Sequence, residues 1–387
     1  MSSVVRKEGR TRGADHPWWE QILRGERQDL LAQSVRRFAK LSSWGYAAGV
    51  KGRQLAYRRG WFPVKRLPHP TICVGNITVG GTGKTPLVMR LASDLLARGL
   101  RPAVLLRGYK REQKRRHPVL VRNAQGICAS VAESGDEAME LATRLPGACI
   151  GVGADRYAVG QFILKHQRVD CFILDDGFQH HRLDRDINIV TVDVNDPWGG
   201  GKLLPAGFLR ESPEALRRAD AVVLTRTSSV GPDRLAVLRA EVSMRMRESS
   251  CLLESRHEPR ELIALVKRNR VSLSELRGKR VLVASGIGNP EAFEATLTNL
   301  GAQIVGSLRL ADHENRAEAV WDWVSRNKRA IDWILMTEKD AMRWVTASAP
   351  PAALARSFVL RVELVISQGH DHWTRLLDLI QQLIHAR

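Results

Sequence analysis

The stretch TICVGNITVGGTGKT, residues 71–85, runs from an apolar segment into a glycine-rich turn and ends on Lys84 and Thr85. These residue types in this order suit phosphate. Gly80, Gly81 and Gly83 let backbone N–H groups approach anionic oxygens, Lys84 reaches the β- and γ-phosphates, and the Thr85 hydroxyl can hold Mg²⁺. Thr78, Val79 and Thr82 complete the candidate nucleotide cradle. Pro86 suits a first helical turn, where its missing N–H has no intrahelical partner to lose. The spacing departs from G-x-x-x-x-G-K-[ST] at one position, because Thr78 stands where the first glycine belongs. An incidental Lys-Thr beside a glycine-rich turn is the competing reading. Strand, three glycines, Lys-Thr and helix arriving in sequence favour the phosphate loop.

Asp175 and Asp176 follow the apolar run Phe172–Leu174, which places two carboxylates at the carboxyl end of a predicted strand. P-loop enzymes keep an acid there to support Mg²⁺. A strand-end Asp-Asp-Gly is also an ordinary turn, so the upstream phosphate loop is what favours the metal role. The run SGDE, residues 134–137, places Asp136 in the first turn of a predicted helix, and from pattern alone capping by Ser134 or Asp136 is the simpler account. His313 lies in the run LADHE, residues 310–314. Kinase chemistry needs a group that takes the proton of the acceptor hydroxyl, and a carboxylate next to a histidine is one way to supply it. The run TEKD, residues 337–340, follows another apolar stretch, with nucleotide contact and a local ion pair as equal readings.

These groups need a scaffold. Short apolar runs alternate with helical stretches at Thr71–Val74, Ala103–Leu106, Cys171–Leu174, Ile187–Val192 and Ala221–Leu224. That alternation predicts a parallel sheet covered by helices. A polar stretch, Thr225–Arg234, precedes a second set of runs at Arg280–Ala284, Gln303–Val305 and Trp333–Met336, so a boundary is predicted near residue 228. The expected fold class is α/β: a P-loop NTPase-like parallel sheet with flanking helices, a second, smaller α/β domain, and a basic N-terminal helical arm. The expected organisation is an arm over residues 1–66, a P-loop core over 67–228, a second domain over 229–370, and a helix over 371–387 that is a candidate for packing back on the first domain.

The 387 residues carry a formal net charge of +19, which calls for a polyanionic partner or surface. Residues 1–66 hold 15 Lys or Arg against 5 Asp or Glu, more than half of that excess. Trp18, Trp19, Ile22, Leu30, Leu31, Phe38, Trp44, Tyr46, Leu55, Tyr57, Trp61 and Phe62 recur among these bases. Such a segment can lie in a bilayer interface with its bases on anionic headgroups; packing on the core with a solvated basic face is the alternative. The charge sits in this arm and no nucleic-acid recognition motif is present, so nucleic acid is not expected as a partner. No run approaches the roughly 18 apolar residues of a spanning helix. Cys73, Cys128, Cys149, Cys171 and Cys251 are odd in number and show no C-x-x-C spacing, which fits a reducing cytoplasm and suggests no zinc site.

Eight stretches, in order from residue 74 to 343, resemble the tetraacyldisaccharide 4'-kinase family of Gram-negative bacteria: VGNITVGGTGKTP, RGY, SGDEA, DDGFQHHRL, GGGKLLPAGFLRES, SGIGNP, ADH and TEKDAMR. The resemblance implies transfer of the ATP γ-phosphate to the 4'-hydroxyl of a tetraacylated glucosamine disaccharide 1-phosphate. It implies a peripheral protein at the cytoplasmic face of the inner membrane, with ATP, the acylated disaccharide and an anionic membrane surface as partners. Carried over by motif, Asp136 accepts the proton of the sugar hydroxyl and His313 orients or tunes it, one from each domain. Lys84 neutralises charge on the transferred group. Thr85, Asp175, Asp176 and Glu137 are the candidate Mg²⁺ ligands, and Asn76, Arg107, Tyr109, Gln179, His180, Arg210 and Glu211 line the site. Lys110 and Glu314 depart from residues the family often has, glycine and histidine respectively. A slow nucleotide-hydrolysing switch protein is the rival reading, supported only by a faint likeness of TEKD to a base-reading loop.

Overall fold

Two helices come first among the described residues: α1 spans Trp18–Arg24 and α2 spans Leu30–Arg58, a run of 29 residues without proline and rich in Ala, Leu, Lys and Arg. The computed structural model describes residues 18–108, 117–287, 290–310, 316–327, 331–345 and 349–387. The chain then alternates through β1 (Thr71–Asn76), α3 (Lys84–Ala97), β2 (Pro102–Leu106), β3 (Val119–Asn123), β4 (Gly126–Ile127), α4 (Val131–Ser134), α5 (Asp136–Arg144) and β5 (Cys149–Val152). Next come α6 (Arg156–His166), β6 (Cys171–Asp175), β7 (Ile187–Asp193), β8 (Ala221–Thr225), α7 (Pro232–Ser243) and β9 (Cys251–Ala264). The rest comprises β10 (Arg270–Val271), β11 (Arg280–Ser285), α8 (Pro290–Asn299), β12 (Gln303–Arg309), α9 (Ala317–Asn327), β13 (Trp333–Thr337), α10 (Glu338–Trp344), α11 (Pro351–Leu354), β14 (Ser357–Gln368) and α12 (His370–His385).

Two compact units form among the described residues: Ala39–Glu258 with Val362–Arg387, and Pro259–Arg361 with residues 18–38. In the first, the strands lie in the order β14, β9, β8, β7, β1, β6, β2, β5, β3, β4. β1 is central and runs parallel to both β6 and β7. All six of its residues are buried, as a strand covered on both faces requires. Period-two alternation divides them between two cores. Ile72, Val74, Val104 and Ile173 face one side, with Leu87, Leu91 and Leu95 of α3. Cys73, Leu105, Phe172 and Leu174 face the other, with Val159 and Ile163 of α6. The chain leaves β1 toward β2 on one side and returns from β6 to β7 on the other, so a crevice opens at the carboxyl ends of β1, β6 and β7.

This unit continues past the boundary expected near residue 228. Leu235, Leu238 and Val242 of α7 pack with Val222 and Leu224 of β8, and β9 pairs in parallel with β8. The polar stretch that suggested a linker is a strand-end loop. Helix α12 belongs to the same unit: Trp373, Leu376, Leu377 and Ile380 join the α3 core, and the Trp373 indole N–H donates to Asp94 at 2.7 Å. The latter part of α2 is also held here. Ser43 Oγ donates to the Leu203 carbonyl (3.0 Å), Tyr46 O–H to the Arg210 carbonyl (3.1 Å) and Gln54 Nε2 to Glu211 (2.5 Å).

The second unit is the smaller α/β body. β11 runs parallel to β12 and to β13, and β13 runs parallel to β14. Its core gathers Leu282, Ala284, Val320, Trp321, Val324, Ile334, Met336, Trp344 and Val359. Asp340 is fully buried and accepts from the Gly286 N–H at 3.2 Å and the Thr337 hydroxyl at 2.6 Å, while Glu338 pairs with Arg361 at 3.1 Å. These contacts within the unit match the local reading of TEKD.

Candidate active site

The glycine-rich segment sits between β1 and α3, at the mouth of the crevice. Its first half is pinned by a loop segment in an isolated antiparallel bridge: the Val79 N–H donates to the Phe208 carbonyl at 2.7 Å, and the Arg210 N–H donates to the Ile77 carbonyl at 2.7 Å. Thr78, paired with Leu209, is buried and does not adopt a left-handed backbone. That pairing explains the departure from consensus, since an extended residue has no need of glycine. Gly83 does need it: with φ 83° and ψ 19° it lies in the left-handed region immediately before α3. The Thr82 hydroxyl is held by Asn76 Nδ2 at 2.9 Å and by the Thr191 hydroxyl at 2.8 Å. Lys84 Nζ donates to the Gly80 carbonyl at 3.4 Å and lies 3.7 Å from Asp176 Oδ1.

The two carboxylates after β6 differ in kind. Val74 of β1 is the register partner of Asp175, which brings that acid beside the start of α3. There the Thr85 hydroxyl donates to Asp175 Oδ2 at 3.0 Å. Asp175 is 5% exposed, and its Oδ1 is buried with no hydrogen-bond partner. Burial first, and then Glu137, push its carboxyl up to about 7; Asp176 adds to the rise, while Lys84 and the Thr85 hydrogen bond oppose it. Asp176 has a left-handed backbone, φ 55°, and accepts from Arg210 Nη1 at 2.8 and 3.0 Å. Burial is the largest influence on Asp176 and acts upward, yet Lys84 and Arg210 together hold its carboxyl below the ordinary value.

Around this pair, Gln179 Nε2 donates to the Asn76 carbonyl at 2.7 Å, and Glu211 is buried against Arg218 at 2.6 Å. His180 is partly buried, and burial followed by Arg156 and Arg185 drives its pKa down to about 4, so its ring is neutral near pH 7. Asp136 is half-buried at the start of α5, behind Gly135. Ser134 does not cap that helix; its hydroxyl donates to the Ser130 carbonyl at 2.7 Å. Glu137 is exposed but close enough to act on Asp175. Arg107 is exposed and acts on Arg156. Tyr109 and His313 lie outside the described residues.

Two cations escaped the sequence reading. Arg156, the first residue of α6, is only 6% exposed; burial and then Arg107 lower its pKa, with Asp176 and Asp175 opposing. Its sequence neighbourhood shows only a helix start, in which Asp155 accepts from the Tyr157 and Ala158 N–H groups at 3.0 and 3.2 Å. Arg226 follows β8 and donates through Nη2 to the Gly81 carbonyl at 2.7 Å. The only local signal for it was a polar stretch after a strand.

Among the described residues no group of three or more His, Cys, Asp or Glu side chains is set to hold a metal. The oxygen donors of Thr85 and Asp175, with the unpartnered Asp175 Oδ1, nevertheless fit Mg²⁺. That ion accepts one or two protein oxygens and takes the rest of its shell from phosphate and water.

The family model described as tetraacyldisaccharide-1-P 4'-kinase matches residues 35–381. A relative named tetraacyldisaccharide 4'-kinase from Geobacter metallireducens is 41% identical over 316 residues, 81% of this chain and 90% of its own. One of the same name from Anaeromyxobacter dehalogenans is 36% identical over 361 residues, 93% of each chain. The crystal structure of LpxK from Aquifex aeolicus in complex with ATP superposes with a TM-score of 0.73 at 30% identity, covering 90% of this chain and 99% of that one.

Proposed function

The chain belongs to the tetraacyldisaccharide 4'-kinase family, and from that membership we propose that it transfers the γ-phosphoryl group of ATP to the 4'-hydroxyl of a tetraacylated glucosamine disaccharide 1-phosphate, a lipid A precursor. It is a kinase with a P-loop NTPase-like core. The observation that carries the reading is the convergence of Lys84 on Asp176 (3.7 Å) and of Thr85 on Asp175 (3.0 Å) at the mouth of the crevice.

In this reading the triphosphate takes the place of Asp176 and the Gly80 carbonyl as the partner of Lys84, whose charge then offsets the negative charge of the transferred group. Arg210 keeps Asp176 in place during that exchange. Thr85 and Asp175, with Glu137 nearby, would hold Mg²⁺, which when bound neutralises phosphate charge and orients the γ-phosphate. Asp136 accepts the proton of the 4'-hydroxyl, and His313 is its partner. The assignment of both rests on their motifs, and for Asp136 also on its place one residue before Glu137. His180, neutral near pH 7, adds a polar wall without adding charge.

The acceptor is a lipid, and the arm suits a lipid surface. Phe38, Leu41 and Trp44 of α2 are 73%, 67% and 71% exposed among basic neighbours, and Trp18 of α1 is 61% exposed. No helix among the described residues is long and apolar enough to cross a membrane. A helix of this kind can lie in an interface plane with its bases on anionic headgroups, which supports reading the protein as peripheral, and the family's lipid acceptor is the reason for assigning it to the cytoplasmic face of the inner membrane.

Incubating the purified protein with γ-labelled ATP, Mg²⁺ and the acylated disaccharide 1-phosphate tests the proposal. Label on the lipid supports it. Label released only as inorganic phosphate refutes it in favour of a nucleotide-hydrolysing switch.

A further inference from the structure

The phosphate loop is gripped from the side away from Asp175 and Asp176. β8 lies beyond β7 in the sheet, and its last residue, Thr225, is fully buried beside the loop. The Thr225 hydroxyl donates to the Thr82 carbonyl at 3.0 Å, and a Cβ on Gly83 would sit 3.2 Å from the Thr225 methyl. The next residue, Arg226, donates through Nη2 to the Gly81 carbonyl at 2.7 Å, while its Nη1 pairs with Asp193 at the end of β7. To make both contacts Arg226 adopts φ 60° and ψ 34°, a left-handed conformation that non-glycine residues rarely keep without compensation.

Two consecutive loop carbonyls are therefore held by two consecutive residues of one strand end. In a trans peptide the C=O and the following N–H point in opposite directions. Holding the Gly81 and Thr82 carbonyls against β8 turns the N–H groups of Thr82 and Gly83 away from it, to the side where the Thr82 N–H donates to the Gly80 carbonyl at 3.2 Å. A phosphate loop binds through amides that face the anion, and each carbonyl held on the outer side is one fewer acceptor to repel it.

We propose that Arg226 is a positioning residue for the phosphate loop: its planar fork, braced by Asp193, fixes the Gly81 carbonyl on the outer side of the loop so that the inner side presents amides to a triphosphate. This rests on reading the loop as the ATP site. Arginine is needed because one guanidinium must serve a carboxylate and a carbonyl at fixed angles, which a lysine ammonium does not.

The test is calorimetric binding of ADP and ATP, with steady-state kinetics, for the full-length wild type and for Arg226→Ala, Arg226→Lys and Asp193→Asn. The expected result for Arg226→Ala is an ADP affinity at least about tenfold weaker, with the nucleotide-free melting temperature little changed. Asp193→Asn should give a smaller loss of the same sign, and Arg226→Lys should recover little. Wild-type ADP affinity in Arg226→Ala would overturn the proposal. So would full recovery by lysine, or an unaffected Asp193→Asn beside a defective Arg226→Ala, since either would mean that charge alone acts on the nucleotide. A wild type that binds neither nucleotide would instead overturn the ATP-site reading and remove this proposal with it.

Discussion

The hydroxyl of Thr85 donates a 3.0 Å hydrogen bond to Asp175 Oδ2, joining the first turn of α3 to the end of β6. The other oxygen of that carboxylate is buried without a partner, and the group ionises only near pH 7. An acid held this way is ready to exchange its proton for a cation, because either one removes the cost of a buried negative charge.

Asp175→Asn should separate catalysis from stability. Turnover is expected to fall by at least about a hundredfold, the scale on which one positioned electrostatic group acts. The raised pKa means that the folded state binds the Asp175 proton more tightly than the unfolded state, so the contribution of this one group to stability is fully present below the ordinary carboxylate range and is lost as pH rises through about 7. Nucleotide-free Asp175→Asn should therefore melt at or above the wild-type temperature at pH 8. Melting curves at pH 6 and 8 check this, and a variant less stable at pH 8 would contradict it.

Asp136→Ala should lower kcat by about 10² to 10⁴, the range for loss of a general base, with ADP affinity changed less than about threefold. Asp136→Asn should behave the same way, because the amide cannot accept the proton. Near-normal turnover in either variant removes Asp136 from the reaction.

The two histidines after the acidic pair set a pH dependence of opposite sign. His180 and His181 are depressed to about 4 and about 3, mainly by burial, so the unfolded chain takes up protons near pH 6.5 that the folded chain refuses. Their contribution is intact above about pH 6.5 and is lost as pH falls toward 4. Denaturant unfolding between pH 7 and 5 should show falling stability, with a shallower fall for His181→Gln. Equal slopes in both proteins would rule out this source.

The arm prediction can be tested without disturbing the core, because Phe38 and Trp44 are 73% and 71% exposed. Replacing both with serine should weaken co-sedimentation with vesicles containing anionic lipid. The melting temperature should stay within a few degrees. Unchanged partitioning would assign the arm to packing alone.

What the chain itself determined was local chemistry. The glycine-rich turn, Lys84 and Thr85, the paired acids after an apolar run and the basic aromatic arm are properties of adjacent residues, and short unbroken apolar runs such as Thr71–Val74, alternating with helical stretches, are enough to announce a doubly covered parallel sheet. Only the tertiary structure decided the rest. Pairing with Leu209 made Thr78 acceptable in the loop. α7 packing on β8 carried the first unit past residue 228 to Glu258. It also divided two neighbouring aspartates into one anion clamped by Arg210 and one buried acid beside Thr85, and it brought Arg156 and Arg226 to the site from unremarkable sequence. The reason is physical: burial and electrostatic field are sums over neighbours distant along the chain, so no window of sequence contains them.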